Sequence, residues 1–416
     1  MKFALPNRAG RVRDSGQVMV LFVLLIVVLI LFIGLGIDLG FSYITRAKLS
    51  KAVDAACLAA VRNLFQGTNA AQAVALSTFE ANYGTSGRDA TDPNVIIQIF
   101  SDSHDNQVVD ITATATINTF FIRILPQWAT LTVASTGEAT RTKVIMSLVL
   151  DRSGSMHIDG GEQALPPAVK NFISFFDDKI DNVAMISFAS TATVDVPMEH
   201  NFKGPINTAV DNLIFTNCTF SQGGLTNALV QNASIKLLPG DTAIKIVVFF
   251  TDGLANMFQD TLDCPSPTLL NIGGFDEDND PCVGFNFPDN EERIGTKNCP
   301  WCGPGPCPVN FCPDTTQFQS VDGSPKEFNR TNTTAEAQLR AIQTALDMKQ
   351  NGTVIYAIGL GSDINSQFLL QLANDPASAF YDSSLPTGQA VFAPTADQLQ
   401  SVFQRIATRI LVRLSK

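Results

Sequence analysis

The feature that most constrains this chain is an apolar segment near its N-terminus. Residues 18–37 form a run of twenty residues without a charged side chain. Twenty residues of α-helix are about 30 Å long, which matches the hydrocarbon core of a bilayer. The run is also longer than the apolar part of a typical cleaved signal peptide. We therefore expect residues 18–37 to cross a membrane as one helix that stays attached to the protein.

The charges before this segment predict its orientation. Residues 1–17 contain four basic side chains and one acidic side chain, Asp14. Positively charged flanks of membrane helices remain on the cytoplasmic side. We therefore expect a single-pass protein whose N-terminus is cytoplasmic and whose residues from about Asp38 onward lie outside the cytoplasm.

A second informative stretch lies in the middle of the chain. Residues 144–150 carry no charge and predict a strand that is buried on both faces of a parallel sheet. The run stops at Asp151, and Ser153 and Ser155 follow at alternate positions. Ligands of open parallel sheets bind beyond the carboxyl ends of the strands. Because these three side chains are hard oxygen donors at such a position, they predict a Mg²⁺ site.

The Asp-x-Ser-x-Ser pattern of residues 151–155 resembles the metal-ion-dependent adhesion site of von Willebrand factor A domains. Gly223-Gly224-Leu225-Thr226 is similar to the second loop of that site, and Thr251-Asp252-Gly253, after a second predicted buried strand at 244–250, is similar to its third loop. The resemblance implies an α/β fold with a parallel sheet flanked by helices. It also implies Mg²⁺ or Mn²⁺ ligands at Asp151, Ser153, Ser155, Thr226 and Asp252.

The proposed ligand set indicates a binding protein. Two carboxylates and three neutral hydroxyls cancel only part of the charge around a Mg²⁺ ion that takes six oxygen ligands. An Asp or Glu of a protein partner can then replace a bound water. The three histidines are far apart, and no Gly-x-Ser-x-Gly elbow, phosphate loop or metalloprotease helix is present. The formal net charge of −11 argues against nucleic acid as a partner. We expect no enzymatic activity.

The start of the chain resembles a second family. Gly16-Gln17-Val18-Met19, Asp38-Leu39-Gly40 and Asp54-Ala55-Ala56 are similar to the N-terminal region of TadG-like proteins. These proteins accompany tight-adherence (Flp) pilus systems of bacteria. The resemblance implies a bacterial inner-membrane protein with its bulk in the periplasm or outside the cell. It further implies pilus-assembly components as partners, or a role in surface adhesion.

The pattern of elements predicts three regions. Alternating side chains predict half-buried strands after a short second helix, and alternating helices and strands further on are typical of βα units. The expected regions are residues 1–65, with the membrane helix at about 18–37; residues 66–142, a small α+β region; and residues 143–416, the α/β domain.

A cysteine-rich insert interrupts the expected α/β domain at about residues 254–332. It contains six of the eight cysteines of the chain. The spacing of four of them matches a zinc knuckle, whereas disulfides are the expected state outside the cytoplasm. Both interpretations stay open for Cys299, Cys302, Cys307 and Cys312.

The same insert contains an acidic run at residues 276–280 that resembles the start of a calcium loop. Pro281 stands where such a loop requires Gly. Ca²⁺ is therefore a secondary candidate ion. Two alternative functions also stay open: an envelope scaffold or interaction module unrelated to pili, and a redox or metal-handling protein that acts through the insert.

Overall fold

The computed structural model of the protein describes residues 15–84, 93–104, 106–158, 160–215, 218–237, 242–261, 269–272, 317–327, 330–362 and 364–414. The chain forms two compact units. The first contains the described residues of 1–63, 67–100 and 108–139, and the second those of 64–66, 101–107 and 140–416. The boundaries expected at 65/66 and 142/143 stay a prediction.

The first unit is built on one long helix. Helix α1 (Ser15–Asn63) is 49 residues long and contains the whole apolar run. It is followed by α2 (Thr68–Tyr83) and by a three-stranded sheet in the order β1 (Asn94–Ser101), β2 (Gln107–Asn118) and β3 (Thr130–Arg141). Among the described residues, α1 alone is long and apolar enough to cross a membrane.

The two halves of α1 differ in burial. Apolar side chains between residues 18 and 33 are exposed, as expected for a helix surface that faces lipid. Further along, residues that recur at helical spacing are buried: Leu49, Val53, Ala56 and Ala60. The second half therefore packs as an ordinary protein helix, and α1 continues the predicted membrane segment into the folded unit.

The second unit alternates strands and helices. Its first half contains β4 (Lys143–Asp151), α3 (Gly161–Ser174), β5 (Asn182–Phe188), β6 (Ala192–Glu199), α4 (Lys203–Asp211), α5 (Ser221–Ser234) and β7 (Ala243–Thr251). Its second half contains β8 (Phe258–Thr261), β9 (Leu269–Ile272), β10 (Gln317–Gln319), β11 (Pro325–Glu327), α6 (Arg330–Gln350), β12 (Val354–Leu360), α7 (Ser366–Ala373), β13 (Gln389–Ala393) and α8 (Leu399–Leu414).

A six-stranded sheet organises this unit. Its strand order is β13-β12-β7-β4-β5-β6. The pairs from β13 to β5 are parallel, and the edge strand β6 is antiparallel to β5. β8 pairs with β9 and β10 with β11 in two small antiparallel hairpins. The predicted α/β fold with a central parallel sheet is confirmed.

Helices cover both faces of the sheet. Alternate residues of β4 point to opposite faces, as strand geometry requires. Val144, Met146 and Leu148 pack in one core with side chains of α3, α4 and α8. Ile145 and Val149 pack in the other with side chains of α5, α6 and α7. Burial on both faces explains why this strand reads as an uncharged run.

Helix α5 begins earlier than the sequence predicts. Two glycines, Gly223 and Gly224, favour a loop followed by a helix from residue 227, because Gly is a poor helix former. The structure instead starts the helix at Ser221. A Cβ added to Gly224 would lie 2.8 Å from side-chain atoms of Phe188 and Val149. Gly224 is therefore a position of close helix–sheet packing, and Thr226 lies inside the helix.

Candidate metal centre

Two neighbouring strands deliver the acidic side chains of the candidate site. β4 and β7 are parallel and adjacent, with Leu150 opposite Phe250. Asp151 is the last residue of β4, and Asp252 comes directly after β7. Both carboxylates are buried. They consequently lie at the same edge of the sheet, beyond the carboxyl ends of the strands, where ligands bind in this class of fold.

The chain turns sharply after β4. The backbone N–H of Ser153 donates a 2.8 Å hydrogen bond to Oδ1 of Asp151. A short 3-10 helix, Gly154–His157, follows directly. This turn brings the hydroxyls of Ser153 and Ser155 within 3.1 Å of each other. The alternate spacing of the two serines thus produces two oxygens side by side.

The two serine hydroxyls meet the carboxylate of Asp252. Ser155 Oγ donates to Asp252 Oδ1 at 2.8 Å, and Ser153 Oγ lies 3.4 Å from the same oxygen. A Cβ added to Gly253 would lie 3.3 Å from Ser155 Oγ, so a larger residue there would crowd this group. Four of the five predicted site residues, Asp151, Ser153, Ser155 and Asp252, are therefore brought together.

Asp151 is held by hydrogen bonds through both of its oxygens. In addition to the Ser153 amide, the hydroxyl of Thr251 donates to Oδ2 at 2.5 Å. Burial raises the pKa of Asp151 to about 6, although the hydrogen bonds from Ser153 and Thr251 act in the opposite direction. Thr251 belongs to the predicted third loop, but only Asp252 of that loop was expected to be a site residue. The available signal was a hydroxyl residue at the end of an apolar run, next to Asp252.

Thr226, the fifth predicted residue, makes a different contact. It is exposed on α5, and its hydroxyl donates to the backbone oxygen of Gln222 at 2.9 Å. None of its described hydrogen bonds involves the other four residues. Its role as a ligand stays a prediction.

The oxygen cluster fits a small hard cation. Neighbouring oxygens of an octahedral shell with bonds of about 2.0–2.1 Å lie about 3 Å apart. The three separations between Ser153 Oγ, Ser155 Oγ and Asp252 Oδ1 are 2.8, 3.1 and 3.4 Å. They approximate one face of such a shell. Within the described part of the chain, no group of three or more His, Cys, Asp and Glu side chains is arranged to hold a metal.

The cysteine predictions concern mostly other parts of the chain. Cys299, Cys302, Cys307 and Cys312 and the acidic run 276–280 lie outside the described residues, so the disulfide, zinc and calcium interpretations stay predictions. Cys57 is a free, buried cysteine of α1. Its thiol donates to the backbone oxygen of Gly137 at 3.2 Å.

Two family models match the sequence. Residues 146–254 match the von Willebrand factor type A domain. Residues 16–63 match the family described as putative Flp pilus-assembly TadE/G-like. These matches confirm the resemblance to von Willebrand factor A domains and to the TadE/G-like N-terminal region, whereas the metal-ion-dependent adhesion site itself stays a prediction. None of the curated proteins matches the chain significantly.

Several solved structures are similar to this chain at low identity. The pilus adhesin SpaC from Lactobacillus rhamnosus GG is 14% identical with a TM-score of 0.42; the match covers 77% of this chain and 35% of the adhesin. The vWF domain of the type V pili tip protein Mfa5 from Porphyromonas gingivalis is 15% identical with a TM-score of 0.41; the match covers 66% of this chain and 97% of that domain.

A third similar structure is proximal thread matrix protein 1 from the mussel byssus, with a zinc-occupied MIDAS motif. It is 15% identical with a TM-score of 0.36, and the match covers 65% of this chain and 46% of that protein. This chain thus spans only about a third to a half of the adhesin and of the byssus protein. At these TM-scores the similarities identify no function.

Proposed function

We propose that this chain is a membrane-anchored protein that binds a protein partner through a divalent cation, in pilus assembly or surface adhesion. The observation that carries the proposal is the convergence of Ser153, Ser155 and Asp252 oxygens beside Asp151 at the carboxyl edge of the sheet. The match of residues 146–254 to the von Willebrand factor type A domain supports it.

Mg²⁺ or Mn²⁺ is the proposed ion, with Ca²⁺ as a secondary candidate. The gathered donors are hydroxyl and carboxylate oxygens, which hard cations prefer over the softer nitrogen and sulfur donors. Ser153, Ser155 and Asp252 would hold the ion, and Asp151 would stabilise the loop that carries the serines. When bound, the ion would supply a strong positive charge for a ligand.

A carboxylate is the proposed group on the partner. The two serine hydroxyls are neutral, so the ion would keep much of its positive charge. Mg²⁺ usually retains several waters in protein sites, and an Asp or Glu of the partner can replace one of them. We propose a binding function without catalysis, because the gathered hydroxyl and carboxylate oxygens suit the binding of an ion and, through it, of a carboxylate.

The proposed setting is a bacterial inner membrane. Helix α1 contains the apolar run 18–37, and residues 16–63 match the TadE/G-like family. The basic residues before the run favour a cytoplasmic N-terminus, with the metal centre in the periplasm or outside the cell. Pilus-assembly components are the proposed class of partner.

Calorimetric titration of the full chain in detergent with Mg²⁺ and Mn²⁺ tests the metal centre. We expect Asp252→Asn and Ser155→Ala to abolish or strongly weaken binding, whereas Asp347→Asn, on the exposed face of α6, retains it. Retention of partner protein that is reversed by EDTA and absent in Asp252→Asn would extend the result to the ligand. Unchanged metal affinity in both site variants would refute the proposal.

A further inference from the structure

The connection between β2 and β3 forms a compact loop of residues 119–129, which we call the apolar loop. The backbone N–H of Thr119 donates to the oxygen of Ala129 at 3.1 Å, and its hydroxyl donates to the oxygen of Trp128 at 2.7 Å. Two short 3-10 helices, Ile122–Ile124 and Pro126–Trp128, fill the loop. Its two ends are thus joined, and its path is fixed.

The apolar loop exposes a group of large apolar side chains. Their exposed fractions range from 40% for Phe121 to 75% for Ile124. Contiguous apolar surface of this kind marks an interaction site for protein or membrane. The exposed side chains are Phe120, Phe121, Ile124, Leu125 and Trp128.

Asp38 of α1 binds the apolar loop directly. Its carboxylate accepts hydrogen bonds from the backbone N–H groups of Phe120, Phe121 and Ile122, at 2.8, 3.0 and 2.9 Å. These bonds join residues more than eighty positions apart in the sequence. Asp38 is buried by the loop, and the loop is therefore fixed at one level along α1.

That level lies at the end of the apolar run. Asp38 is the first charged residue after residues 18–37. One helical turn closer to the membrane, a Cβ added to Gly34 would lie 2.5 Å from the Cβ of Phe121. Since four residues of helix span about 6 Å, the ring of Phe121 lies beside a part of α1 that belongs to the predicted hydrocarbon-spanning segment.

We propose that the apolar loop inserts into the outer leaflet of the bilayer beside α1 and forms a second membrane contact. The proposal rests on the proposed membrane anchor, because the loop is fixed to the helix at the expected level of the lipid boundary. Apolar side chains at that depth bury their surface in acyl chains, and Trp128 has the amphipathic ring that favours the interface. Lipid is thus the occupant of this surface.

The hydrogen bonding of the loop suits a lipid environment, where each unsatisfied backbone group costs several kcal/mol. Asp38 accepts from three consecutive N–H groups. The N–H groups of Leu125 and Trp128 donate to Ile122 and Leu125 oxygens at 3.0 and 2.9 Å. Arg123 is exposed on the same loop, and its long side chain can reach lipid phosphates while its stem stays among the acyl chains.

Depth-dependent quenching of Trp128 tests this contact. The chain contains two tryptophans, so Trp301→Phe leaves Trp128 as the single reporter. The full chain is reconstituted in phosphatidylcholine vesicles with brominated acyl chains. The matched control carries Trp128→Phe, Trp301→Phe and Asn69→Trp. Asn69 lies beyond Asn63, and Asn63 is roughly 35–40 Å of helix from Asp38.

We expect bromine to quench Trp128 several-fold more strongly than the reporter at residue 69, and aqueous acrylamide to show the opposite order. Equal quenching of both reporters by acrylamide, with no effect of bromine on Trp128, would overturn the proposal. Protection of Trp128 from both quenchers would also overturn it, because a protein surface would then cover the loop. Vesicle flotation measures separately whether α1 anchors the protein in the membrane. If the protein floats with the vesicles but bromine does not quench Trp128, insertion of the apolar loop is refuted while the membrane anchor is retained.

The role of Asp38 is tested in the same assay. Asp38→Ala removes the acceptor for three loop N–H groups, and we expect it to reduce bromine quenching of Trp128 several-fold. Ser42→Ala is the matched control, because the Ser42 hydroxyl donates to the oxygen of Leu39 within α1. Quenching that is unchanged in Asp38→Ala would refute the role of Asp38 in fixing the loop.

Discussion

The hydroxyl of Thr251 donates a hydrogen bond of 2.5 Å to Oδ2 of Asp151. Oδ1 of the same carboxylate accepts from the backbone N–H of Ser153. Both oxygens of Asp151 are thus engaged by protein donors, whereas the Ser153 and Ser155 hydroxyls meet Asp252. This division favours a positioning role for Asp151 and direct ligation by the serines and Asp252.

Thr251 should therefore affect metal binding without contacting the ion. We predict that Thr251→Val weakens Mg²⁺ binding by about 10- to 100-fold, the usual cost of losing a partner that orients a metal ligand. Thr251→Ser keeps the hydroxyl and should retain most of the affinity. Calorimetric titration of the two variants measures the difference. Equal affinities for the valine and serine variants would contradict this role.

The serines and Thr226 should differ in their effects. Ser155 Oγ lies in the oxygen cluster, whereas the Thr226 hydroxyl donates to its own helix. We predict that Ser155→Ala weakens Mn²⁺ binding at least about tenfold, as expected for a lost ligand, and that Thr226→Val has a smaller effect. Electron paramagnetic resonance of bound Mn²⁺ measures both. An equal loss in Thr226→Val would show that the ion brings Thr226 into the site.

The strands of the metal centre were predictable because burial on both sheet faces excludes charge. The run 144–150 carries no charge and the run 244–250 carries one, at Lys245 near its start; they became β4 and β7 with one further residue at each end. Their parallel pairing places Asp151 and Asp252 together, as the sequence order implied. Local composition predicted the two strands, whereas the resemblance to the metal-ion-dependent adhesion site implied that Asp151 and Asp252 belong to one site.

Contacts between distant residues were not predictable in the same way. Gly223 and Gly224 resemble loop residues, and only the neighbouring sheet explains why α5 has a glycine at position 224. In the sequence, Thr251 is simply the residue that ends a strand; its hydrogen bond to Asp151 is evident only from the structure. Asp38 reads as a flank of the membrane segment, because its partners lie more than eighty residues away. Each depends on tertiary packing that one segment of sequence does not contain.

A buried ion pair should stabilise the second unit at the start of the sheet. The guanidinium of Arg141 donates to both oxygens of Asp181, at 3.1 and 2.6 Å, and both side chains are buried. We predict that Arg141→Met lowers the free energy of unfolding by about 3–5 kcal/mol, because it leaves the Asp181 charge buried without its partner. Denaturant unfolding of the full chain in detergent measures this loss.

A double-mutant cycle provides the control for this pair. Asp181→Asn alone should also destabilise, and the double variant should lose less than the sum of the two single losses, since it removes both buried charges. Additive losses would mean that the two side chains act independently, against the bidentate geometry.

Lys349 should make stability depend on pH in the alkaline range. It is buried at the end of α6, and its ammonium donates to the oxygen of Gln371 at 3.0 Å. Burial lowers its pKa from 10.5 to about 8, while the charge of Asp382 opposes the shift. Between these values the unfolded chain binds a proton that the folded chain lacks, so this residue makes stability rise with pH.

The comparison with Lys349→Met isolates this contribution. Below pH 8 the folded protein buries the charged ammonium, and the desolvation of this charge lowers the free energy of unfolding. Methionine carries no charge and removes this destabilising effect. We predict that the wild type gains on the order of 1–3 kcal/mol relative to Lys349→Met between pH 8 and 10.5. Denaturant unfolding at several pH values in this range measures the difference in free energy of unfolding between the two proteins. The contributions of the other titrating groups cancel in this difference because both proteins contain them. Parallel stability profiles of the two proteins would show that the lysine keeps its ordinary pKa, with its ammonium in contact with water.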